Sequence, residues 1–219
     1  MDALTIIKAA ATELQDGKNV GGEFVPSYTR WTLAELAGYV NDGQRFILTK
    51  VPDATAHERT LELVAGVEQE VPKDCFALLE LLRHADGRQT AIRQVARAAL
   101  DASAPGWAAG SQKNAVIHFI QDPRQPHRFD VYPPAADGVR VVALLALKPV
   151  PVGDDGSGAI TIHTEYAEAL RHYVLYRAFS KDAEYGANAA LASAHYQAMA
   201  DALGIAPARP GTTDDPTAA

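Results

Sequence analysis

Cysteine, methionine and tryptophan are scarce in this 219-residue chain, at one, two and two residues. A single cysteine, Cys75, excludes an intrachain disulfide and cannot by itself build a thiolate metal site; it points to a reducing compartment. Cationic surplus is missing too: 20 lysines and arginines face 27 acidic residues, for a net charge of −7. Gripping nucleic acid takes excess Lys and Arg on some face, and no such cluster stands out. Long apolar runs are also missing. The longest, Val139–Leu147, is interrupted by Arg140 and reaches about half the ~20 residues of a membrane-spanning helix. The N-terminal MDALTIIKAAATELQDGK carries Asp2 early and reads as an amphipathic helix, not a signal peptide. A soluble protein is expected, with no membrane partner.

Catalytic constellations are incomplete. His163 and Glu165 form an H-x-E, which in zinc deaminases supplies a ligand and a general acid/base, but the paired cysteines of such sites are missing. Glu168, His172 and Tyr176 follow one another by one helical turn. They suit either a proton shuttle or, more commonly, an exposed ion pair. The pairs Asp154/Asp155 and Asp214/Asp215 lack the alternating oxygen ligands of a calcium loop. The loop VGDDGSGA is glycine-rich but has no phosphate-binding Lys, and no G-x-S-x-G occurs. No adjacent base accompanies Cys75, so an inert thiol is the default. No residue is expected to be catalytic, cofactor-binding or metal-ligating, and no cofactor is expected.

What is present is ordinary for a folded chain, 47% hydrophobic and 21% charged residues. Leu4, Ile7, Ala11 and Leu14 share a helical face, and Gly17 is expected to end that helix. GKNVGGEFVPSYTR is expected to be a loop that docks on something, since it carries Phe24, Val25 and Tyr28. Thr32 and Glu35 form a capping box, with Trp31 at the hydrophobic-staple position. Asn41-Asp42-Gly43 is a turn by local rules. Yet Leu33, Leu36, Val40, Gly43 and Ile47 keep helical phase through it, so one helix over 32–49 is predicted. Gly43 then marks the close approach of a neighbouring helix, with Asn41 and Asp42 on other faces.

From residue 58 the pattern changes. RTLELVAG and VEQEVP read as a hairpin turning at Gly66. FALLELLRHADG, AVIHFI, RFDVYPP and GVRVVALLAL read as strands. TAIRQVARAALDAS reads as a helix through Ile92, Val95, Ala99 and Ala102. VGDDGSGA reads as a flexible loop. Helices return with EYAEALRHYVLYRAFS, capped by Thr164. KDAEYG turns a corner into ANAALASAHYQAMADALG, whose Tyr185, Ala189, Ala192, Tyr196, Met199 and Leu203 share a face and which Gly204 stops. The tail IAPARPGTTDDPTAA has no periodicity.

The fold class predicted is α+β: a helical bundle formed by N-terminal and C-terminal helices, with an inserted, mostly antiparallel β subdomain. The divisions are 1–57 and 153–204 for the bundle, 58–152 for the β subdomain with one short helix, and 205–219 for an extended tail. Five of the eight tyrosines (Tyr166, Tyr173, Tyr176, Tyr185, Tyr196) lie in the last two helices. Such a stripe suits either core or a subunit interface.

RWTLAELAGYVNDGQRFI, TLELVAGVEQEVP, DPRQPHRFDVYPP and YVLYRAFSKDAEYGANAALASAHYQAMADALG, in this order over roughly residues 3–204, resemble the head–tail adaptor (connector, or head-completion) proteins of tailed bacteriophages. The W-x-x-x-E-L-x-x-x-x-N-x-G helix and the Y-R-A-x-S-K-D-A-E-Y corner are the most specific pieces. The resemblance implies a structural virion protein of the neck, assembled in the host cytoplasm. It implies a homo-oligomeric, usually twelve-fold ring beneath the portal protein, which extends the DNA channel and receives a downstream neck or tail protein. DNA passes without sequence-specific binding, and there are no catalytic residues to carry over. The insertion GKNVGGEFVPSYTR and the proline-rich tail depart from the pattern. Candidate subunit or portal contacts are Phe24, Val25, Tyr28, Trp31, Tyr176, Tyr185, Tyr196, Pro207, Arg209 and Pro210. The alternatives are another neck, tail-completion or tail-tube protein, and a small α+β enzyme using His163, Glu165, Glu168 or His172.

Overall fold

A computed structural model describes residues 1–87, 89–181 and 186–205. It divides the chain into two compact units. One combines Met1–Lys50 with the residues from Pro151 on, and the other is Val51–Val150.

In the first unit, Asp2 caps α1 (Ala3–Glu13) by accepting the Leu4 N–H at 3.4 Å. Ala3, Ile6, Ile7, Ala10 and Ala11 form its buried stripe. The helix ends before Gly17. Gln15, at φ 55°, takes the left-handed position usual for glycine. Asp16 N–H reaches Ala11 O, and Gln15 N–H reaches Thr12 O, the two bonds of a Schellman motif.

The expected loop after α1 is a β-hairpin instead: β1 (Gly17–Val20) pairs antiparallel with β2 (Glu23–Pro26). Gly21 and Gly22, at φ 62° and 90°, supply the two positive-φ positions that a tight hairpin turn requires. At Gly17 a Cβ would sit 2.7 Å from the Phe24 ring, so glycine lets that ring lie over the backbone.

α2 (Leu33–Lys50) runs unbroken through Asn41-Asp42-Gly43, about 27 Å at 1.5 Å per residue. Only half of the expected capping box forms. Thr32 Oγ1 accepts Glu35 N–H at 3.2 Å, whereas the Glu35 carboxylate turns to Tyr39 Oη and Lys181 Nζ, both at 2.8 Å. A Cβ on Gly43 would lie 2.5 Å from Leu170 Cδ1 and 2.8 Å from Tyr173 Cδ1. Both belong to α4 (Ala167–Lys181), the neighbouring helix that the glycine admits. Asn41 pins the 150s loop, donating to Val152 O at 3.1 Å and accepting Val152 N–H at 2.8 Å. Gly153 N–H bonds Ser157 O, and Asp155 Oδ1 accepts Ser157 N–H; the expected flexible loop is thus hydrogen-bonded into turns. No Thr164 cap starts α4. A 3₁₀ turn, Thr164–Tyr166, precedes it, and His163 at the cap position makes no side-chain capping bond. α5 (Gly186–Ala202) ends in a second Schellman motif, with Gly204 at φ 65° and Ile205 N–H bonded to Ala200 O. The KDAEYG corner falls mostly on 182–185, outside the described residues.

The second unit holds β3 (Ala56–Leu63), β4 (Gly66–Glu70), β5 (Cys75–His84), β6 (Arg93–Gln94), α3 (Arg97–Ser103), β7 (His118–Ile120), β8 (Arg128–Ala135) and β9 (Val139–Leu147). One sheet has the order β3-β9-β5 and the other β4-β8-β7-β6. All pairings are antiparallel except β6–β7. The expected hairpin over 58–72 does not form, because β3 and β4 pair into different sheets. Gln69, 3% exposed, takes over the bonds a hairpin would make. Its amide accepts Val64 N–H and donates to Val64 O, both at 2.9 Å, so the chain can change sheets without orphaned backbone groups. The expected helix over 90–103 is shortened to α3, since Arg93 and Gln94 pair with β7. Leu63, Leu81, Phe119, Val131, Val141 and Leu145 bring both sheets onto one core. The chain is thus α+β: N-terminal and C-terminal helices pack together in one unit, and a mostly antiparallel β unit is inserted between them in the sequence.

Candidate interaction surfaces

The proposed contact residues do not fall together. Val25 is 44% exposed on β2 and Tyr196 is 45% exposed on α5. Phe24 and Tyr28 are half-buried. The Tyr28 hydroxyl is buried without a hydrogen-bond partner among the described residues, and burial pushes its pKa up. Tyr176 is half-buried, its ring edge-on to Tyr173 and Tyr196. Trp31 is a correction. It is 2% exposed and its indole N–H donates to Ala178 O at 3.2 Å, so this staple residue belongs to the bundle core and offers no surface. Tyr185, Pro207, Arg209 and Pro210 lie outside the described residues.

The face assigned to α5 is also corrected. Ala192, Met199 and Ala200 are buried there, with His195 half-buried beside them, while Ala189 and Tyr196 face solvent. The helix is apolar around most of its circumference, with Asp201 its only Asp, Glu, Lys or Arg, so periodicity alone fixes no phase. Outward it presents alanines, Leu191 and Tyr196; on the hairpin, Val20 and Val25 are exposed.

Two polar positions, one buried and one half-buried, escaped the sequence reading. Asp16, 8% exposed, accepts the N–H groups of Thr29, Arg30 and Trp31 at 3.0–3.1 Å and the Ser27 hydroxyl at 3.2 Å. Burial pushes its carboxyl up, but those backbone donors outweigh it and hold the group below the ordinary carboxylate range. His195 meets His172, Nδ1 to Nδ1, at 3.0 Å. Burial lowers the basicity of His195; Glu13 opposes, and His172 and Arg171 add to the lowering. Neither position has a local signature, since the partners come from elsewhere in the chain.

The residues of the enzyme alternative do not gather into a pocket. His163 and Glu165 are exposed on the turn before α4, whereas His172 is half-buried against α5. Among the described residues, no group of three or more His, Cys, Asp or Glu side chains could hold a metal ion. Cys75 is buried, and burial together with Asp74 pushes its thiol up, which makes it a poor nucleophile. The β unit has a cleft of about 670 Å³ lined in part by Trp107, Arg97, Arg128 and Asp130. Arg97 lies over the Trp107 ring at 5.6 Å and pairs with Asp130, so the charge of that arginine is already matched.

This architecture, with uncovered apolar surface and no assembled reactive site among the described residues, is accompanied by a family match along the chain. Residues 1–218 match the family described as SU10 adaptor protein. The chain belongs to that family. It is a structural adaptor protein of the phage head–tail type, a virion component that interacts with other virion proteins. A comparison with curated proteins gives no match. No helix among the described residues is long and apolar enough to cross a membrane.

Proposed function

We propose that copies of this adaptor assemble into a ring beneath the portal, twelve-fold to match it, extending the DNA channel and giving the neck or tail its attachment platform. The family match over residues 1–218 carries this reading. The exposed apolar residues Val20, Val25, Leu191 and Tyr196 support it, because apolar and aromatic surface left on a folded chain favours association. The net charge of −7 suits a channel along which DNA slides without sticking. Phe24, Val25, Tyr28, Tyr176 and Tyr196 are the proposed subunit or portal contacts, together with Tyr185, Pro207, Arg209 and Pro210; Trp31 leaves the set. No catalytic step is assigned. Mass measurement of the purified protein, alone and mixed with portal rings, tests the proposal. Masses of a multimer or of an adaptor–portal complex are expected. A strict monomer that ignores portal rings would overturn it, and binding to tail protein alone would move the chain to the neck or tail-completion class.

A further inference from the structure

His172 on α4 and His195 on α5 bring their Nδ1 atoms to 3.0 Å, with ring centroids 5.2 Å apart. The centroid separation exceeds the gap by about the two ring radii, so the nitrogens point straight at each other with room for a hydrogen and nothing larger. Each far nitrogen lies at ion-pair distance from a carboxylate, without a formed hydrogen bond: His172 Nε2 is 3.4 Å from Glu168 Oε1, and His195 Nε2 is 3.5 Å from Glu13 Oε1. Arg171 bonds both carboxylates, and Phe179 stacks on His195 at 5.5 Å. The charged groups facing the pair among the described residues are thus Glu13 from α1 and Glu168 and Arg171 from α4. The imidazoles are 18% and 12% exposed.

A ring nitrogen either donates or accepts. Two neutral rings carry two N–H groups for three contacts: one between the rings and one to each carboxylate. One ring must then turn a lone pair to its glutamate. A single added proton keeps one N–H bond between the rings and turns an N–H toward each carboxylate. A second added proton sets two N–H groups head to head and places two positive charges in one largely buried contact. We propose that His172 and His195 form a one-proton latch that fastens α5 to α4 and α1, completed by the first proton and opened by the second. α5 also buries Ala192, Met199 and Ala200, so the latch adds a pH-dependent part to the docking of the helix that bears Leu191 and Tyr196. The latch rests on the helical unit alone and stands or falls apart from the ring proposal.

Long-range ¹H–¹⁵N NMR of the full chain, from about pH 8 down to about pH 5, reads the histidine nitrogens directly across the range where imidazoles titrate. The expected result is a titration in two steps separated by more than about one unit and shared by both rings. Two rings titrating independently, each with one ordinary step near about 6.5, would overturn the latch. Hydrogen exchange gives a second reading. At the lower step, protection of the α5 amides is expected to fall about tenfold, the equivalent of one pKa unit, while α2 keeps its protection. In His195→Gln that acid-specific loss should vanish. Equal loss in both proteins, or loss spread evenly over α2 and α5, would refute the assignment.

Discussion

α2 and α5 both lie against α4, and they do so in opposite ways. α2 buries Leu36, Ala37, Val40, Gly43, Gln44, Ile47 and Leu48. Its backbone approaches so closely that only a glycine clears Leu170 and Tyr173. Glu35–Lys181 and Asp42–Arg177 pairs then border the seam. α5 buries three residues, adds ring contacts through His195 and Tyr196, and leaves Leu191 and much of Tyr196 exposed. The first seam is over-determined by shape. The second runs close to α4 along its length but buries few side chains and keeps apolar surface exposed, as a helix proposed to meet partners would.

The largest expected effect falls on the tight seam. Gly43→Val places atoms inside Leu170 and Tyr173 and should cost about 3 kcal/mol or more, at the upper end for overpacking, read as a lower urea midpoint. Ala194→Val, at an exposed α5 position, should cost under about 1 kcal/mol from helix propensity alone. Equal costs would erase the contrast between the helices. Met199→Ala comes next. Met199 is 1% exposed and its loss opens a cavity, so about 2–4 kcal/mol is expected. A negligible cost would mean that α5 is not docked in solution.

Asp16→Asn should cost about 2 kcal/mol, because an amide cannot accept from three backbone N–H groups and a hydroxyl as a carboxylate does. The folded carboxyl is held low, so its stabilising contribution is present above the unfolded value of about 3.9 and is lost as pH falls through the folded value. Urea midpoints of wild type and variant should therefore converge in acid below about pH 4. A gap that persists unchanged there would assign the cost to packing.

Local rules made α2 legible. Its hydrophobic period survives the turn-prone triplet because Gly43 itself lies in the packed stripe. The same rules underused Gly21-Gly22, whose dipeptide marks a hairpin turn between GKNV and EFVP. They failed where pairing is long-range. β3 and β4 look like a hairpin by spacing, but β3 pairs with β9 and β4 with β8, and Gln69 makes that exchange possible from a position indistinguishable in sequence from any strand residue. α5 failed for another reason: with alanine on most faces, its buried side is chosen by α4, so His195 gave no sign of meeting His172. Of the contact set, Val25 and Tyr196 reach solvent, whereas Trp31 was a staple whose partner helix lay far along the chain. Family resemblance, spread over the whole sequence, did not depend on any of these local choices.

The smallest effect on stability is expected at Tyr196→Ser. Tyr196 is 45% exposed and touches Tyr176 edge-on at 5.3 Å. Losing that ring should cost the unassembled chain under about 1 kcal/mol. If α5 keeps its outer face for partners, the same substitution should weaken multimer or portal binding by tenfold or more, since buried tyrosines contribute on the order of 2 kcal/mol at interface centres. Urea unfolding of the unassembled chain and a binding titration with portal rings separate the two effects. A stable variant that assembles like wild type would remove Tyr196 from the interface. A variant that unfolds early would show the exposed ring to be part of the bundle after all, and the difference between α2 and α5 would shrink to one of degree.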